Sequence, residues 1–287
     1  MHFLQRSANL IVYEVRRALA KKKIYVLLIL AFALQIGIYT LFKYVFTNPP
    51  PEVTITGPPL EEFKGTMWLL GVLGGSQGLF IPIIAIIIAG GSMSEEYEHG
   101  TADILLSKPV TRIEYVTGKY LGGLSFLSLI IALITGLGVA LAYGLFGPQD
   151  SLHLVPVVYM ALVYANLLFF SLAFMFSEII RSTTSAIMAA IGIFIGSIAV
   201  GSYLSVLYAM TQQQLYLNIS RWLPYWTTSN FPSFVISELM TTPSSPFVSV
   251  QSGNLQLAAT IIAVYTTASI LIATFKLIRS DITKKPD

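Results

Sequence analysis

Apolar residues gather into six long blocks: Ile24 to Phe42, Met67 to Ser92, Tyr120 to Phe146, Leu154 to Ser177, Ala186 to Ala209, and Leu255 to Phe275. None of them contains Asp, Glu, Lys or Arg. Each is long enough to cross a hydrocarbon layer of ~30 Å as a helix. A charge at the centre of such a helix costs about 2.5 to 3.5 kcal/mol, so the clean exclusion is what lipid demands. The pattern predicts an all-α polytopic membrane protein with six transmembrane helices. An even number of crossings puts both ends of the chain on one side. The segments before span one, between two and three, between four and five, and after six hold 14 of the 17 Lys and Arg residues. Cytoplasmic segments retain positive charge, which makes both termini cytoplasmic. Trp68, Trp222 and Trp226 then fall at or beyond the outer interface, where amphipathic rings settle.

Residues 1–23 carry a second period. Leu4, Ala8, Ile11, Val15 and Leu19 recur at helical spacing while Arg6, Asn9 and Arg16 lie elsewhere, predicting an amphipathic helix in the membrane surface with lipid as its partner. Lys21, Lys22 and Lys23 mark the turn into span one, and no small-x-small cleavage site follows, so that span is read as retained. Residues 276–287 form a cytoplasmic tail. On the other side, the segment with Pro49, Pro50, Pro51, Pro58 and Pro59 is expected to be extended. The longer loop from Met210 to Asn254 is expected to form short interfacial or re-entrant helices, not a seventh span.

The segment from Ser94 to Lys119 holds the densest set of signals. Gly100 interrupts a helical run and Thr101 is a good N-cap, so a short helix is expected over Ala102 to Ser107, ended by Pro109. Thr111-x-x-Glu114 is a capping box, with Val110 and Tyr115 placed as a hydrophobic staple, and it starts the helix that becomes span three. A short helix is thus held between two membrane helices by its own stop and start signals. Glu95, Glu96 and Glu98 suit docking of a basic partner better than a metal or proton site. Gly118-Lys119 lacks the earlier glycine and the following Ser or Thr of a phosphate loop, which excludes nucleotide binding by this chain.

Composition narrows the classes further. Only 11 % of residues are charged, against ~25 % in soluble domains, which excludes an ordinary soluble enzyme. The absence of cysteine removes disulfides and thiolate chemistry, and His2, His99 and His153 are too scattered for a metal cage. No catalytic or metal residues and no nucleic-acid partner are expected.

Glu95, Gly100-Thr101, Leu105-Leu106-Ser107, Pro109, Arg112 and Gly118-Lys119 together resemble the signature of the type 2 ABC-transporter permease family. A weaker likeness runs over nearly the whole chain, from Glu14 and Arg16-Arg17 to Phe275, Arg279 and Asp281. The resemblance implies a dimeric subunit in a prokaryotic plasma membrane that lacks ATPase residues and binds a separate cytoplasmic ATPase. ATP then acts only through that partner, and no cofactor binds this chain directly. It also implies a coupling helix at about Gly100 to Ser107, with a second contact at Glu178 to Ser185.

Small residues mark faces suited to close helix packing. Span two carries Gly71, Gly75, Gly78, Ala85 and Ala89, and span five carries Ser185, Ala189, Gly192, Gly196 and Ala199. Packing within one subunit is one use of these faces; a dimer interface lining the path is the use the resemblance implies. Gln35, Gln77 and Asn166 are the strongly polar residues within spans and should face protein or water. Interhelical bonding is open to all three, and Gln77 and Asn166 are the path candidates. The expected function is export of a hydrophobic or amphipathic substrate. A membrane scaffold that moves nothing and a secondary carrier remain as alternatives, the carrier disfavoured by charge-free spans.

Overall fold

The computed structural model of the chain describes residues 2–20, 22–48, 64–101, 111–239 and 254–279. Among these residues the fold is helical with no strand. The helices are α1 (His2–Leu19), α2 (Lys22–Thr47), α3 (Met67–Leu69), α4 (Phe80–Gly90), α5 (Ser94–Glu98), α6 (Arg112–Phe146), α7 (Val155–Ile180), α8 (Thr183–Thr211), α9 (Gln214–Ser220), α10 (Pro224–Leu239) and α11 (Leu255–Arg279). Six segments are long and apolar enough to cross a membrane: Ile24–Val45, Phe80–Glu98, Arg112–Phe146, Leu152–Ile180, Thr183–Thr211 and Leu255–Arg279. The short helix expected over Ala102 to Ser107, with Leu105, Leu106, Pro109 and Val110, lies outside the described residues, as do the prolines from Pro49 to Pro59 and the tail from residue 280.

The second crossing differs from the uninterrupted helix expected over Met67 to Ser92. α3 runs into a π-helix, Leu70–Ser76, a turn covers Gln77 to Leu79, and α4 restarts at Phe80. A second turn at Gly91 to Met93 precedes α5. Gly71, Gly74, Gly75 and Gly78 make departure from α geometry cheap. Pro82 has no N–H to offer the carbonyl four residues earlier, which releases the backbone at Gly78. The apolar pattern gave no sign of this break, because a π-helix and an α-helix bury similar side chains.

α7 is the central helix and packs against α4, α8, α10 and α11. Phe169, Phe170 and Phe174 on it are fully buried, and Tyr120 of α6 meets Phe170 and Phe174 edge-on at 5.2 and 5.4 Å between ring centroids. The Met210 to Asn254 loop contributes α9 and α10. α10 has 16 residues, too few at ~1.5 Å each to cross ~30 Å of hydrocarbon, and packs between α7, α8 and α11. Trp68 sits inside the protein, its indole N–H donating to the Asp150 carbonyl at 3.1 Å, whereas Trp222 is well exposed.

The small-residue faces meet different fates. A side chain at Gly71 would enter the Tyr39 ring, and one at Gly90 would come within 2.7 Å of Ile187. Ala85 and Ala89 are fully buried, and Gly78 is half-buried. On α8, Ala189 is half-buried, Gly192, Gly196 and Ala199 are exposed, and a Cβ at Gly192 or Gly196 would meet open space. Gly71→Val should therefore lower the melting temperature of the detergent-solubilised protein, since overpacking a filled site costs about 1–3 kcal/mol. Gly196→Val should leave monomer stability nearly unchanged. Equal losses for the two would show that the faces are packed alike.

Candidate functional site

Lys119 ends the polar stretch before the apolar run of span three, and the structure leaves its side chain 1 % exposed. Its ammonium donates to the carboxylates of Glu14 on α1 and Glu96 on α5. Glu96 also accepts from the Tyr115 hydroxyl and from Arg17 Nη1 at 2.8 Å, while Arg17 Nη2 reaches Glu95 at 3.2 Å. Three carboxylates and two cations from α1, α5 and α6 thus form one network, buried at Lys119, Glu14 and Glu96 and half-buried at Arg17 and Glu95. Burial works against the Arg17 charge, but Glu14, Glu96 and Glu95 outweigh it and hold its pKa above the usual guanidinium value. α1 comes close enough because α6 presents Gly122, where an added Cβ would lie 2.5 Å from that of Glu14.

The same short helix is fastened on its other sides. Ser177 of α7 accepts the N–H groups of Met93 and Ser94 at 3.0 and 2.8 Å, satisfying donors at the start of α5. Tyr97 donates to buried Glu178 at 2.8 Å, and the Arg181 guanidinium lies 4.5 Å from the Tyr97 ring centroid. Glu98 accepts from both the N–H and the hydroxyl of Thr183 at 2.8 Å, an anion at the N-terminus of α8 where the helix dipole favours it. Gly100 then closes α5 with φ +66°, the left-handed conformation glycine adopts without strain, and Thr101 is exposed. α5 therefore ties α1, α6, α7 and α8 together immediately before the segment from Ala102 to Val110.

The capping box stands as expected: Thr111 accepts the Glu114 N–H at 3.2 Å, and the Glu114 carboxylate accepts the Thr111 N–H at 2.7 Å. Arg112 donates to the carbonyls of Leu277 and Ile278 at 2.7 and 2.9 Å, joining the start of span three to the last turn of α11. The acids suggested as a docking surface have internal partners instead. Glu96 is 2 % exposed inside the network, Glu95 pairs with Arg17, and Glu98, the most exposed of the three, caps α8.

Gln77 and Asn166, singled out separately as path candidates, meet each other. Asn166 Nδ2 donates to Gln77 Oε1 at 3.0 Å, Gln77 Nε2 donates to the Thr228 carbonyl at 2.8 Å, and both residues are at most 1 % exposed. The break in span two is thereby pinned to α7 and α10. Gln35 donates to the Ile134 carbonyl at 3.2 Å, a third interhelical tie.

Sequence reasoning named Lys119 only within the Gly118-Lys119 signature and Thr183 only within the second contact expected at Glu178 to Ser185, and it passed over Tyr97 and Ser177. One signal was present for Lys119: a cation abutting a long apolar run needs either an exit to water or a counter-charge. Replacing Lys119 with Met should cost about 3–5 kcal/mol of stability by stranding buried carboxylates, and adding Glu14→Gln should recover part of it. Thermal unfolding in detergent reads both, and an unchanged melting temperature for Lys119→Met would refute the network's structural role.

A family model described as ABC-2 family transporter protein matches residues 8–281. No curated protein matches the chain.

Proposed function

The chain belongs to the ABC-2 family, the membrane subunits of ATP-binding cassette transporters, and on that premise we propose that it forms a homodimeric export path driven by a separate cytoplasmic ATPase. Members of the family are not themselves ATPases and generally pair with one. The observation that carries the reading is the position of α5, fastened to four other helices directly before Gly100 and Thr101. Force applied by a partner to the segment from Gly100 to Ser107 would reach α1, α6, α7 and α8 together. ATP closure of the partner pair would displace that segment, and the break at Gln77 to Leu79 would let the lower part of span two tilt against the upper part.

In this reading both termini are cytoplasmic, in a prokaryotic plasma membrane, and Leu105, Leu106, Pro109 and Arg112 complete the coupling region. Glu178 to Ser185 provides a second contact with the partner, next to the α5 ties. The path runs between subunits along α8, whose open face at Gly192 and Gly196 allows close helix approach. Its apolar lining suits a hydrophobic or amphipathic substrate.

Co-purification with the ATPase and measurement of substrate-stimulated turnover test the coupling. Gly100→Val should leave the partner bound but reduce turnover severalfold, because a β-branched residue resists positive φ. Partner binding without substrate-dependent turnover in the unaltered chain would favour a scaffold instead. Because the chain has no cysteine, Gly196→Cys can report the dimer directly. It should cross-link between subunits in membranes, whereas fully buried Ala85→Cys should not; the opposite pattern overturns the α8 interface.

A further inference from the structure

α1 has two faces with different occupants. Glu14 and Ala18 are buried, Ile11, Val15 and Arg17 are half-buried, and Val12, Tyr13, Arg16 and Leu19 are exposed. The inward face is accounted for by the ion network and by the approach to Gly122. The outward face combines apolar side chains with a cation, and exposed Lys22 follows it directly. Residues 1–23 hold six Lys and Arg but a single acid, Glu14, and that acid is turned inward onto Lys119. Charge on the outer side of this segment is therefore uniformly positive among the described residues.

Only Ala20 and Lys21 separate α1 from α2, whose apolar stretch from Ile24 to Val45 is a membrane crossing. The end of α1 is thereby held at the membrane boundary. An acidic protein surface would satisfy Arg16 and Lys22 but leave Val12 and Leu19 without an apolar neighbour. The headgroup and acyl boundary of an anionic bilayer satisfies both at once. We infer that the outward face of α1 binds anionic phospholipid headgroups, and that this contact sets the position of α1 against α5, so that membrane charge regulates the coupling end of the protein.

The link from lipid to α5 runs through adjacent residues. Arg16 points out while Arg17 reaches Glu95 and Glu96, so a displacement of α1 that optimises Arg16 for a headgroup must also shift Arg17 across the two α5 carboxylates. The regulatory half of the inference rests on the coupling role proposed for the segment after α5; the lipid contact itself does not.

The absence of cysteine allows single nitroxide labels on the full-length protein. Leu19→Cys would report the outer face of α1 and Thr101→Cys the end of α5, each in nanodiscs of phosphatidylcholine alone or mixed with phosphatidylglycerol. Phosphatidylglycerol should immobilise the Leu19 label and draw it toward lipid, and high salt should reverse the change by screening. Each charge removed by Arg16→Gln or Lys22→Gln should weaken the response about fivefold, and Arg16→Lys should restore it. The Thr101 label should also respond, and Arg17→Gln should abolish that response while sparing the one at Leu19. A Leu19 label indifferent to phosphatidylglycerol overturns the lipid site, including the case where only an acidic protein partner protects it. A Leu19 response without one at Thr101 overturns the regulation. Neither label requires an ATPase, so failure of the coupling reading would leave the lipid result standing.

Discussion

A lysine with no route to water organises one end of this protein. Lys119 is too deep under α1 for its ammonium to snorkel to the surface, so its charge is tolerable only beside fixed carboxylates. Those carboxylates come from two other elements, Glu14 on α1 and Glu96 on α5, and removing either cation would strand a buried negative charge. The electrostatic requirement thus becomes a geometric one: α1, α5 and α6 must stay together. Gly122 makes this possible by letting the backbone of α1 come near α6, with the Cα of Ile11 3.4 Å from where a Cβ would stand. The Tyr115 hydroxyl donates to Glu96, and Arg17 bridges Glu96 and Glu95.

The middle of the bundle is held by weaker means. Neutral amides tie Gln77 to Asn166 and Thr228, and Gln35 to Ile134, and such interhelical bonds average only about 0.6 kcal/mol in a membrane. The ties of Gln77 occur where span two has already left α geometry. A clamped end beside a lightly pinned break is the arrangement the proposed lever requires: the clamped part would move as one body, with deformation concentrated where the backbone is least regular.

What could be read from the sequence follows how far apart the cooperating residues lie. Six crossings were legible because charge exclusion is a property of each block alone, and the Thr111–Glu114 capping box because it spans one helical turn. The break in span two was carried by visible residues, Gly71, Gly74, Gly75, Gly78 and Pro82, but apolar periodicity does not distinguish a π-helix from an α-helix. The network was hidden more deeply. Lys119 and Glu14 are separated by 105 positions, and a charge near a span end looks the same whether it faces water or a buried partner. The glycine faces show the same limit: spacing says that a helix can be approached, while only the fold shows that Tyr39 fills Gly71 and that Gly192 and Gly196 stay open.

The position of α8 connects these observations. Its first residue, Thr183, is held by Glu98 at 2.8 Å and by Ser94 at 3.0 Å, so its N-terminus is part of the clamped end although its exposed glycine face lies further along the same helix. A helix of 29 residues transmits a displacement along its axis without needing a chain of side-chain contacts, because its own hydrogen bonds make it stiff. In the proposed coupling, movement of α5 would reach α8 through Glu98 and Ser94 as well as through span two. A shift at Gly100 would then meet both attachments, the one to α8 through Glu98 and Ser94 and the one to span two.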